Sequence, residues 1–235
     1  MKKYITSTLF CFAILHMTYA QGNAYAEIAQ ITTRFKYLDE GSLYGKNFYF
    51  DSKWVKAKLL RADNSIVSND SFLFNYDKID RRLLITTDFK NIFEVDRREF
   101  KAVLFYWHDS SFVFKHINFI NDKDLFQVII NDNGKYSLFK VMRTKLIKAN
   151  YGEASFYSSG PSKSDRYQDI PEYYIFFPNR GYKTIFFLKK AAIERAFDLD
   201  PDIDKVEDYL NSTGQKEYKE CDLIQLILYL NKMAA

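Results

Sequence analysis

Residues 127–141 read QVIINDNGKYSLFKV, and this stretch decides the fold. Two apolar runs, one reaching Ile130 and one starting at Tyr136, flank Asn131, Asp132, Asn133 and Gly134. These four residues favour a turn, and the last of them tolerate positive φ. The stretch therefore predicts an antiparallel β-hairpin whose register is set locally. Working back toward the N-terminus, Val55, Ala57 and Leu59 alternate with Lys56 and Lys58, the period of two that marks a strand with one buried face. Similar runs occur at Phe72–Tyr76, Leu83–Thr86, Phe100–Trp107, Phe112–Ile117 and Leu125–Ile130, and their regular spacing predicts a meander. Toward the C-terminus, Gly152–Pro171 gathers serine, glycine and proline and reads as a long loop. A second hairpin follows, Tyr173–Phe177 and Tyr182–Leu188 around Pro178, Asn179, Arg180 and Gly181.

After Leu188 the apolar period lengthens to that of a helix, with Ala192, Ile193, Ala196 and Phe197 on one face. Asp200 and Pro201 have the form of an N-cap and a first-turn proline, opening a helix with Ile203, Val206 and Leu210 on one stripe. Glu220–Lys232 forms the last helix, apolar almost all round and so expected to be buried, with Cys221 buried at its start. The predicted fold class is α+β, mainly β. An antiparallel meander of roughly eight to ten strands, flat or curled into a barrel-like layer, carries a C-terminal helical segment packed on it. The expected division is a leader at 1–20, a β domain at 21–188 with its Ser-rich loop at 152–171, and a helical segment at 189–235.

Aromatic residues make up 18% of the 235-residue chain, and these types favour pleated, half-buried surfaces. The low content of glycine and proline excludes collagen-like and low-complexity classes. Met1–Ala20 reads as a signal peptide, with Lys2 and Lys3 ahead of an apolar stretch and small residues before a cut between Ala20 and Gln21. A second A-x-A site ends at Ala26 and ranks below it, being far from the apolar stretch. Loss of Lys2 and Lys3 with the leader leaves 32 basic against 30 acidic residues. That near-neutral balance, with no basic stripe, argues against nucleic-acid binding. One cysteine, Cys221, then remains, so no internal disulfide is expected.

The chemistry-bearing residues are few. His108 and His116 could meet across a hairpin, but the ligand set for a metal is incomplete. His108, Asp109, Ser110 and Ser111 contain the residue types of a nucleophilic triad, yet adjacent positions have the composition of an ordinary turn. Asp198 with Asp200, and Asp202 with Asp204, look like acids at a helix start. Aromatic clusters around Trp54, Trp107 and Tyr173–Phe177 must send half their rings outward by strand alternation. Trp54, Trp107, His108 and Tyr157 are therefore the candidate binding surface. No catalytic, cofactor or metal residue is expected, and the strands carry too many lysines and arginines for a membrane barrel.

Several stretches taken together, Gly41–Tyr44 before the Trp54 strand, Phe74–Tyr76, Asn133–Leu138, Glu172–Tyr174, Lys189–Lys190 and the Asp222–Ile224 helix, resemble exported β-rich proteins of unknown function from Gram-negative bacteria. The resemblance implies an envelope protein with no assigned activity and no catalytic residues to carry over. The expectation is a non-enzymatic protein, periplasmic, outer-membrane-associated or extracellular, with no membrane span after leader removal and another envelope protein as its partner. The alternative is a glycan or small-ligand binder, or a hydrolase.

Overall fold

The computed structural model describes residues 28–29, 47–51, 53–131, 134–148 and 165–234. Among the described residues the fold is α+β, mainly β, with eleven strands in antiparallel sheets, three C-terminal helices and no closed barrel. The chain divides into two compact units between Ser111 and Phe112. The helices share a core with the last strands.

In the first unit, β1 (Ala57–Arg61) lies between β2 (Ile66–Val67) and β6 (Phe100–Trp107). The β1–β2 turn is built on Asp63, whose carboxylate accepts from the Ser65 amide at 2.9 Å and its hydroxyl at 2.6 Å. Between β2 and β6 the chain makes a separate sheet of β3 (Leu73–Asp77), β4 (Arg82–Thr86) and β5 (Ile92–Glu94). The expected meander is therefore interrupted in this half. Buried Asn75 holds the segment before β1 against β3, its amide donating to the carbonyls of Asp51 at 3.1 Å and Lys53 at 2.8 Å.

In the second unit the meander holds: β7 (Ser110–Ile117), β8 (Asn121–Ile130), β9 (Ser137–Ile147), β10 (Arg166–Phe177) and β11 (Gly181–Ile185) pair in sequence order. The loop expected to reach Pro171 ends earlier, because β10 pairs with β9 from Arg166 onward. β11 covers β10 only from Tyr173, so Pro171 sits on a half-open edge, where a missing amide hydrogen is tolerated. The β10–β11 turn closes at Gly181, whose φ of 77° suits glycine.

Three helices follow, α1 (Lys190–Phe197), α2 (Ile203–Thr213) and α3 (Glu220–Met233). Gly214 ends α2 in the left-handed conformation, its amide bonded to the Asn211 carbonyl. Leu223, Leu226, Ile227 and Leu230 of α3 are fully buried with Phe197, Val206 and Leu210 against Leu138, Ile175, Phe177 and Ile185 of the sheet. Each such side chain contributes about 1.5–3 kcal/mol of transfer free energy. α3 is amphipathic, not buried all round, since Leu228 is exposed. Cys221 is also exposed, two residues before the buried stripe begins at Leu223. Among the described residues no helix is long and apolar enough to cross a membrane.

Candidate functional site

Strand alternation gives the second unit two different faces. Tyr173, Ile175 and Phe177 of β10 point to the helices, while Tyr174 and Phe176 join Ile117, Phe126, Phe139 and Val141 on the opposite side. Each face carries a polar network that the sequence alone does not show.

On the helix face, Tyr136 at the start of β9 meets the α1–α2 connection. Its hydroxyl lies 2.5 Å from Asp200 Oδ1 and 2.8 Å from Asp202 Oδ2. Lys135 Nζ reaches Asp202 Oδ2 at 2.6 Å, Lys205 Nζ reaches Asp202 Oδ1 at 2.9 Å, and Arg180 stands 3.4 Å from Asp200. Both carboxylates are buried. Asp202, not Asp200, is the N-cap residue of α2, and its side chain makes no cap bond because it is turned toward Lys135 and Tyr136. Burial pushes the Asp202 carboxyl up, but hydrogen bonds from Lys135, Lys205 and Tyr136 outweigh it and hold the group below the usual carboxylate range. Burial, then the two carboxylates, pushes the Tyr136 phenol well above its ordinary value, so it stays protonated and donating. The cluster locks the hairpin tip to the helices. Asn231 of α3 adds two bonds, accepting from the Tyr136 amide at 2.7 Å and donating to its carbonyl at 2.8 Å.

Nearby, Glu220 Oε2 accepts from Lys140 at 2.7 Å and from the Tyr173 hydroxyl at 2.8 Å, tying the start of α3 to β9 and β10. On the opposite face, Arg143 bridges Asp124 at 2.8 Å and Glu172 at 2.9 Å, and the Tyr174 hydroxyl donates to Glu172 at 2.9 Å. Burial and the Glu172 carboxylate push the Tyr174 phenol up to about 12. In both networks the acids meet basic or phenolic donors, an arrangement that fixes geometry.

Beside this second network lies a cleft of about 430 Å³, lined by Lys115, His116, Asn118, Phe119, Phe139 and Phe176. The β7–β8 turn shapes it, the Ile120 amide donating to the Ile117 carbonyl at 3.0 Å. Phe119 is 58% exposed and packs on Phe176 with ring centroids 5.0 Å apart. Alternation along Tyr173–Phe177 made the outward direction of Phe176 readable. Phe119 carried no signal, as it lies in a turn.

Of the candidate surface read from the sequence, Trp54, Trp107 and His108 lie among the described residues. Trp54 packs with Phe48 against Leu84 and Ile92. Trp107 packs on Phe50 at 5.4 Å, with Lys53 Nζ 5.2 Å from its ring and His108 edge-on at 4.6 Å. The two tryptophans thus serve separate packing clusters within the first unit. His108 occupies the β6–β7 turn with φ 51°, and His116 lies six residues past Ser110 in β7, about 20 Å along the strand at ~3.3 Å per residue. Among the described residues no three His, Cys, Asp or Glu side chains gather as a metal site. Tyr157, Ala20 and Gln21 lie outside the described residues.

No protein family, curated protein or solved structure matches this chain.

Proposed function

We propose that this is an exported, non-enzymatic protein that binds another component of the cell envelope, with the Phe119–Phe176 cleft as the contact. The compartment follows from the charged start, apolar stretch and small residues of positions 1–20. The observation that carries the reading is the exposed Phe119 ring packed on Phe176 beside Lys115, His116 and Asn118. Rigid aromatic rings ringed by polar groups supply contact area at little entropic cost, the composition of an interface centre. The test is affinity capture of the tagged chain and of its F119S/F176S variant from the native envelope. One stoichiometric partner lost with the variant supports the reading, and an identical set of captured proteins refutes it.

The same cleft supports a second reading, a glycan or small-ligand binder, because its volume of about 430 Å³ falls in the range of small-molecule pockets. Saturable heat in a calorimetric titration with envelope saccharides, absent in F119S/F176S, would favour it.

A further inference from the structure

The connection between β11 and α1 leaves two adjacent phenylalanines in water. Phe186 is 55% and Phe187 is 69% exposed, while the residues on either side point inward: Ile185 is in the core and Leu188 packs against it. The pair is therefore presented by a chain anchored at both ends. The α2–α3 connection fixes it further. The Tyr218 amide donates to the Leu188 carbonyl at 2.7 Å, the Lys190 amide to the Lys216 carbonyl at 3.4 Å, and Lys189 bridges Glu217 in antiparallel fashion. Tyr218 is itself buried, its hydroxyl donating to the carbonyls of Leu210 and Gln215. Fraying does not account for the exposure of the two rings, because the segment that carries them is stapled from both sides.

The lysines of these two segments outnumber the acids that pair with them. Residues 186–190 and 214–219 together hold four lysines, Lys189, Lys190, Lys216 and Lys219, against one acid, Glu217. Glu194 stands 3.6 Å from Lys190 and Glu217 3.9 Å from Lys189, which leaves a cationic excess. Apolar rings at the tip of a rigid loop, flanked by lysines, match a surface that is hydrocarbon beneath a layer of negative charge. A protein partner would equally cover the rings, but the lysines at the base select for anionic headgroups.

We infer that Phe186 and Phe187 insert into an anionic phospholipid bilayer, with Lys189, Lys190, Lys216 and Lys219 against its headgroup phosphates. The inference is independent of the Phe119–Phe176 cleft.

The test is co-flotation of the full chain with vesicles of phosphatidylcholine alone and of phosphatidylcholine with phosphatidylglycerol. Wild type and variants share residues 1–20, so a difference between them reads the loop. The expected result is binding to the anionic vesicles only, reduced at least tenfold in F186S/F187S and about fivefold in Lys216→Gln, with unchanged circular dichroism and melting. Binding should also weaken as salt rises. F119S should bind vesicles as wild type does, which keeps this outcome separate from that of the cleft. Equal flotation of wild type and F186S/F187S, equal binding to neutral vesicles, or no flotation would overturn the inference. So would a concentration-dependent dimer abolished by F186S/F187S, which would assign the rings to a second copy of the chain.

Discussion

Replacing Tyr136 with phenylalanine removes one hydroxyl and leaves the ring packing between Phe177 and Phe197 intact. The hydroxyl serves two buried carboxylates, at 2.5 and 2.8 Å. A hydrogen bond to a charged group contributes about 1.5–3 kcal/mol, and one proton shared by two acceptors does not count twice. Asp202 keeps Lys135 and Lys205, whereas Asp200 is left with the Asp202 amide at 3.0 Å and Arg180 at 3.4 Å. The expected loss is about 2–3 kcal/mol, or roughly 5–10 °C in Tm, read by thermal unfolding at pH 7. The effect also has a pH signature. The Asp202 carboxyl is depressed in the folded chain, so its contribution is fully present above about pH 4 and is lost as pH falls through the lower folded value. The Tyr136→Phe penalty should therefore hold through the ordinary carboxylate range and shrink only as pH falls through that lower folded value. A penalty under about 0.5 kcal/mol at pH 7, well below the usual range for such bonds, would refute the assignment of Tyr136 as the lock.

Arg143→Leu strips Asp124 and Glu172 of their shared cation and should destabilise by about 3–5 kcal/mol; a urea midpoint within error of wild type would contradict this. Gly134→Ala places a Cβ 2.6 Å from the Asn231 amide group, which two bonds to Tyr136 hold in place, and should destabilise by about 1–3 kcal/mol. If steric conflict is the cause, Gly134→Ala adds little on top of Asn231→Ala, and full additivity of the two would point elsewhere. An ultraviolet difference titration of wild type against Tyr174→Phe should give a phenol midpoint near 12. Its raised value stabilises the fold below about pH 10 and is lost as pH passes through 12, so a midpoint near 10 would show that Glu172 does not hold it.

Much of the second unit was legible. Alternation separated Ile175 from Tyr174 and Phe176, helical spacing marked α1 and α3, and Gly181 and Gly214 take the positive φ values that their turn and cap positions require. Short elements were not. Ile66–Val67 and Ile92–Glu94 are too brief for a period to register, and the β3–β5 sheet shows only as a break in strand order. Gly134 was readable as a turn residue, yet it is not among the glycines with positive φ, and what requires it is the approach of Asn231 from α3.

By itself the sequence determined the longer strands and helices and which face of each is apolar, because those properties repeat every two or three to four residues along the chain. The tertiary structure alone decided which polar groups meet. Tyr136 and Asp200 are 64 residues apart, and their contact depends on the hairpin tip and the α1–α2 connection reaching the same end of one core. It likewise decided that Ile185 and Leu188 are held inward while Phe186 and Phe187 stay in water. Strand alternation would have sent Phe187 to the same side as Ile185, but it applies only as far as the strand extends, and β11 stops at Ile185.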